Sequence, residues 1–297
     1  MDQQNQTENN VIGGEEINVS AASEQTSTGE QITHESTLYP EPVFHFSNFT
    51  ITNSLLNSWV VVLLIILLSV IIKKKIKTIP RGIQNYAEMI LESALNLADS
   101  VTGDRKKTMK IFPIAFAIFI FILLNNWLGI FPGIGSIGFV EHQGGEAIFV
   151  PFFRGSTADL NTTLGLALFA VIGSNLFGVV TIGFWKYFNK FINLKAFLEI
   201  PKKIKKEPTI IFVNPIKAFV GIIEIIGEVA KVASLSFRLF GNIFAGEVLL
   251  AAMAVIFAFV LPIPFMFLEL IVGIIQALIF AMLTLVYFSI AATSEEH

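Results

Sequence analysis

The sequence predicts an all-α, polytopic membrane protein, and three observations carry that expectation. Hydrophobic residues make up 54% of the 297, and mean hydropathy is +0.69, too apolar for a soluble chain of this length. The 29 phenylalanines sit inside long apolar segments and do not alternate with polar residues, which suits membrane helices and not a barrel. Of 20 lysines and arginines, 16 fall in three clusters at 73–81, 105–110 and 186–206, in alternate loops. Positive charge collects in this way on the cytoplasmic side of a membrane, which puts the N-terminus outside and the C-terminus inside. With no cysteine, disulfides, iron–sulfur clusters and thiolate metal sites are excluded.

Residues 1–50 are polar and acidic with no lysine or arginine, and read as a disordered external tail in front of a membrane domain at 51–297. No basic stretch runs at once into an apolar core, so no conventional signal peptide is expected. The first span covers about 55–72 and is stopped by Lys73, Lys74 and Lys75. An amphipathic helix follows at about 82–98. Tyr86, Ile90, Ala94 and Leu97 share one face, and Glu88, Glu92 and Asn96 lie off it. It either rests on the membrane surface or packs as a connector.

The second span, about 111–131, ends in Asn125, Asn126 and Trp127, the last at the depth of an interfacial aromatic belt. The glycine-rich loop beyond it holds Glu141, His142, Glu146 and Arg154. Their spacing fits no compact metal motif, so a solvated or access-facing loop is expected, with no metal and no catalytic residue. Asp159 can cap the third span, about 160–184, and Asn161, Thr162 and Thr163 continue a polar stripe into it. The basic connector at 185–209 suits cytoplasmic topology and contact with anionic lipid. It is not a nucleic-acid site, because its charges flank spans without a recognition fold.

From about 216 to 257 no proline interrupts a helical pattern. Forty-odd residues make about 60 Å of helix, twice the hydrocarbon thickness. Such a helix must tilt strongly, curve, or run partly along the interface. Leu261-Pro262-Ile263-Pro264 breaks the path, and about 265–292 returns across the membrane.

The long helix also carries the chemistry. An arginine such as Arg238 in hydrocarbon costs about 2.5 to 3.5 kcal/mol on insertion scales, and no carboxylate stands one turn away on its face. At about 100° per residue, Glu224, Lys231, Arg238 and Asn242 fall within about 40° of one another. Glu228 lies about 80° from Arg238, and Glu247 about 180°. On the returning helix Glu269, Gly273, Gln276 and Phe280 share a face. Gly241 and Gly246, with Ala245, keep the wall thin and permit close helix approach. Two aqueous routes separated by one fixed charge would use this arrangement. A packed bundle with internal hydrogen bonds would use it too, but would rarely leave the arginine without an acidic partner.

RLFGNIFAGE at 238–247, STADLNTT at 156–163, LNNWLG at 124–129, and LIVGIIQALIFAMLTLVYFSIA at 270–291 followed by SEEH occur in an order that is specific. The chain resembles the a subunit of F-type ATP synthases over most of its length after residue 50. That resemblance implies a long, strongly tilted membrane helical hairpin wrapping a rotor. It implies the c-ring, the b subunits of the peripheral stalk and the rest of the F1Fo complex as partners, together with membrane lipid. The location it implies is the bacterial inner (plasma) membrane. Arg238 matches the arginine that faces the c-ring, and Asn242, Glu247, Glu269 and Gln276 match residues that line or adjoin two half-channels. Glu224 and Lys231 match an acidic and a basic position toward the cytoplasm, while Asp159 and Asn161 look toward the outer access channel.

At Glu269 some relatives carry histidine and others glutamate, so a titratable group is kept. No cofactor is implied, and proton is the default coupling ion. The chain has no phosphate loop GxxxxGK[ST], so it is expected to conduct ions without hydrolysing ATP. A secondary transporter would call for inverted repeats, which the sequence lacks. A purely structural subunit would pair Arg238 internally. One tension stands in the resemblance: a hairpin turning at Pro262 puts Gln276 about 20 Å and Arg238 about 36 Å from the turn, yet the family brings them together. Either the turn begins several residues before Leu261, or the helices slide and bend.

Overall fold

The computed structural model describes residues 40–46, 49–77, 80, 82–131, 133–143, 146–192, 210–257 and 260–293. Expectations for the tail at 1–39, the middle of the basic connector and the C-terminal SEEH lie outside the described residues. Strands β1 (Pro42–Phe46) and β2 (Phe49–Thr52) pair antiparallel, in a stretch that composition alone assigns to the tail. Thr52 ends β2 and caps α1 (Asn53–Lys75), its hydroxyl accepting from the Leu55 amide at 3.3 Å.

Next come α2 (Ile83–Thr102) and α3 (Arg105–Ile130). Gly103 sits at φ +68° and donates to the Asp99 carbonyl, which closes α2. Asp104 then caps α3, and Arg105 pairs back to Asp99 across the corner. The loop after α3 contains an antiparallel hairpin of β3 (Gly138–Gln143) and β4 (Glu146–Pro151). A single 3₁₀ turn at Ser156–Ala158 leads into α4 (Leu160–Ile182), which is followed by α5 (Phe184–Ile192). The last two helices are α6 (Ile210–Ile256) and α7 (Pro262–Ala291).

Five of these helices are long and apolar enough to cross a membrane: α1, α3, α4, the Phe219–Ile256 part of α6, and α7. Their outward faces carry Leu63, Leu67, Phe169, Leu176, Val180 and Val229, all exposed. In water such a surface would be an aggregation patch, whereas lipid solvates it at no cost. At 47 residues α6 is about 70 Å long, more than two bilayer cores.

The interior is built from α3, α4, α6 and α7. Ile118 and Ile122 meet Ala167, Ala170, Val171, Leu235, Leu239, Ile243, Ala277 and Phe280 in one cluster. A second cluster joins Ala98 of α2 to Ile111, Phe112, Leu285 and Phe288. The packed-connector reading of α2 therefore holds for part of the helix. Its C-terminal half packs, while Tyr86, Met89 and Ile90 stay exposed.

Polar locks hold the end of the bundle that bears the β3–β4 loop. Asn57 of α1 donates to the Asn125 side chain at 3.2 Å, and Ser156 donates to the same oxygen. Thr157 donates to Asn126 at 2.6 Å, and Asn126 donates on to the Gly273 carbonyl at 3.1 Å. Trp127 donates to the Leu270 carbonyl at 3.4 Å, so this residue is tied to α7. The LNNWLG and STADLNTT segments are thus opposite halves of one buried hydrogen-bonded joint. Its amides and hydroxyls can be buried because nearly all are paired.

Candidate functional site

Arg238 lies on the exposed side of α6, with Asn242 one turn on and equally exposed. Its guanidinium donates to the Ser234 hydroxyl at 3.3 Å, and no carboxylate of the described residues forms an ion pair with it. Beneath it, the buried Gln276 amide donates to the Arg238 carbonyl at 2.6 Å. The α7 side chain therefore braces the backbone from which the arginine projects.

This contact resolves the hairpin geometry. Gln276 pairs with Arg238, and the Glu269 carboxylate lies against Gly246, so both pairings are centred near residue 257. The helix ends at Ile256, several residues before Leu261. Pro262 is the first residue of α7, where its missing N–H would have had no helical partner in any case. The prolines start the return helix, and the chain has already turned.

Toward the C-terminal end of α6, beside the stretch that follows β4, lies a pocket. Glu247 is paired to Arg154, whose Nε and Nη2 donate to Oε2 at 3.1 and 3.0 Å. Glu247 and Glu269 line one cavity of about 30 Å³ with Asn126, Gly129, Gly155 and Ile243, room for about two waters. Glu269 is 7% exposed, and its Oε1 has no hydrogen-bond partner. Gly246 is what admits this side chain, because a Cβ there would lie 2.1 Å from Oε2 of Glu269. Close helix approach thus holds at Gly246. It does not hold at Gly241, where a Cβ would meet nothing within 4 Å, since that glycine faces outward beside Arg238.

A second network occupies α6 about 15 Å along the axis on the other side of Arg238. Lys231 pairs with Glu228 at 2.6 Å and lies 5.2 Å from the centre of the Tyr287 ring. Asn175 of α4 donates to the other Glu228 oxygen at 3.2 Å, and the Tyr187 hydroxyl of α5 donates to Asn175. Burial, then the charges of Glu228 and Glu224, pushes the Tyr187 phenol up to about 12, so it stays a donor. Glu224 thus stands beside this network.

The remaining candidates fall elsewhere. Asp159 is buried as the cap of α4, accepting from the Asn161 amide at 3.0 Å and the Thr162 hydroxyl at 3.2 Å. The Asn161 side chain is exposed, and neither residue lines the cavity. Sequence reasoning left Arg154 without a partner and gave Asn175 and Tyr187 no role. An asparagine inside an apolar span, and an arginine beside a span, were the available signals.

Comparison with known proteins agrees with this architecture. Residues 55–289 match the ATP synthase A chain family. The chain is 31% identical over 251 residues to the ATP synthase subunit a of Syntrophobacter fumaroxidans, covering 84% of this chain and 88% of that protein. It is 32% identical over 237 residues to that of Campylobacter concisus, covering 80% and 88%. To the chloroplastic ATP synthase subunit a of Stigeoclonium helveticum it is 32% identical over 243 residues, covering 82% and 85%. A match over most of the chain, with apolar helices where the family signature lies, means that the chain belongs to the ATP synthase A chain family.

Proposed function

We propose that the chain is the ion-conducting stator of an F-type ATP synthase, with two offset half-channels that meet the c-ring on either side of Arg238. As a member of its family it is a non-catalytic subunit, and the family together with the five apolar helices supports a proton-translocating role. The observation that carries the finer reading is the layout of α6. One exposed arginine, without a carboxylate partner among the described residues, stands between two polar networks that do not touch it.

In this reading the loop end of the bundle faces outside and the basic end faces the cytoplasm. The outer half-channel runs past Asp159 and Asn161 to Glu269, with Glu247 adjoining it. The inner one runs past Glu224, Glu228 and Lys231. A carboxyl on each c subunit takes a proton from the outer route and travels neutral through lipid. It then releases the proton to the inner route beside Arg238. The guanidinium favours the ionised ring carboxylate and blocks direct leak, and it remains charged at any relevant pH. Each charge moved yields about 2.3 kcal/mol per 100 mV. To follow a curved ring surface over 47 residues, α6 and α7 form a steeply tilted hairpin, and the b subunits and the rest of the F1Fo complex hold it against torque.

The chain has no native cysteine, so a cysteine at Phe237, 61% exposed beside Arg238, is a clean probe. Oxidative cross-linking to a cysteine beside the carboxyl of a c subunit is expected in assembled complexes. No cross-link there, with a cross-link instead from the α1 face at Leu63, would contradict the assignment of the ring-facing side.

A further inference from the structure

The outer pocket contains one feature that the proton route does not require, the pair between Arg154 and Glu247. Arg154 comes from the stretch between β4 and α4, and its side chain is 11% exposed. Among the described residues, its Nε and Nη2 both donate to one oxygen of Glu247, at 3.1 and 3.0 Å. Paired hydrogen bonds from a rigid guanidinium fix the position and orientation of a carboxylate.

Glu269 is held differently. Its carboxylate lies in the same cavity, and its Oε1 is buried without a partner. Among the described residues lining that cavity, Asn126 is the other polar side chain, and both ends of its amide are engaged by Thr157 and Gly273. Among the described residues, the charged groups that line the space are Glu247 from α6 and Glu269 from α7, with Arg154 from the loop paired to Glu247. An unpartnered carboxyl oxygen beside room for water can exchange a proton with that water. A carboxylate locked to a guanidinium is a poor exchanger.

Resting on the stator reading above, we infer that Arg154 is a positioning residue: it locks Glu247 into a fixed ion pair, so that Glu269 is the carboxyl of the outer pocket that takes up and releases protons. Glu247 then shapes the field of the pocket without carrying the proton. Removing one partner of the pair deprives the other of this contact next to Glu269. Removing both leaves the cavity and Glu269 in place.

The test uses intact complexes in inverted membrane vesicles, with assembly scored by co-purification of the c-ring and ATP-driven proton pumping followed across pH. Arg154→Gln and Glu247→Gln are each expected to lower pumping about tenfold and to move its pH profile. The double variant Arg154→Gln/Glu247→Gln is expected to return to within about threefold of wild type and to restore the profile. Arg154→Lys keeps most of the pumping, and Glu269→Gln is rescued by no change at Arg154.

A double variant as inactive as Glu247→Gln alone overturns the inference, because Glu247 would then carry the proton itself. Wild-type pumping in Arg154→Gln also overturns it. Should Arg154→Gln fail to assemble, the double variant, which removes both charges of the pair, decides. Arg238→Ala in the same vesicles separates the two levels. Retained pumping there removes the stator reading, whereas lost pumping there beside an unrescued double variant removes only the role of Arg154.

Discussion

The inner network around Glu228 and the outer pocket around Glu247 each pair a basic side chain with a glutamate of α6, yet they are assembled over different distances. Lys231 and Glu228 are three residues apart on one helix, closed in by Asn175 and Tyr187. Arg154 and Glu247 are 93 residues apart and come from a loop and a helix. The inner network has a donor on each oxygen of its carboxylate. The outer pocket leaves one oxygen of Glu269 unpartnered beside a cavity. Closed networks hold helices together, and a carboxyl with an open oxygen can do proton chemistry. In the proposed reading, the difference separates a network closed on its own donors from a pocket with a carboxyl open to exchange.

Filling the outer pocket is the most severe way to break that contrast. In Gly246→Ala the new methyl lands 2.1 Å from Oε2 of Glu269, so the carboxylate must leave its place. Displacing a reacting group by about 1 Å can cost on the order of a hundredfold, and coupled pumping is expected to fall at least tenfold in complexes that still assemble, on the order of that loss. Normal pumping in Gly246→Ala would mean that the position of Glu269 is immaterial, and the contrast would collapse.

The inner network should yield a smaller effect of another kind. Tyr187→Phe deletes one buried donor, worth about 0.5 to 1.5 kcal/mol, so thermal stability drops by a few degrees while pumping changes little. The pH dependence sharpens this. The phenol rises from 10.0 to about 12 on folding, so the stability tied to its protonated form is complete below pH 10 and disappears as pH passes about 12. The melting difference between wild type and Tyr187→Phe should therefore be constant through neutral and mildly alkaline pH and shrink only above that range. A difference that closed already near neutrality would show that Tyr187 is not held as a donor.

What the sequence revealed follows the same division between local and distant. Spans were legible because apolar runs and basic stops are local signals, and α1, α3, α4, α6 and α7 fall where hydropathy predicts. The shared face of Lys231 and Arg238 on α6 follows from helical periodicity. The partner of Glu247 was illegible, since nothing near position 247 points to a loop residue 93 positions earlier. The joint between Asn126 and Thr157 was visible as two motifs but not as one contact. The hairpin turn stayed open between an early start and sliding helices for a physical reason: proline reads as a breaker, yet Pro262 occupies the one part of a helix that accepts it without loss. The short strands β1 to β4 were missed because they lie in polar or glycine-rich stretches that give no long periodic signal.

The central claim is that Arg238 separates two half-channels, and one paired measurement addresses it directly. Complexes carrying Arg238→Ala are reconstituted in vesicles beside wild type. ATP-driven pumping is followed in intact complexes, and passive proton flux under an imposed potential is followed after the nucleotide-processing head is stripped away. The account predicts lost pumping with passive flux retained or increased, because the barrier between the routes is gone while the routes remain. Normal coupled pumping in Arg238→Ala would contradict it and return the arginine to a structural part in α6.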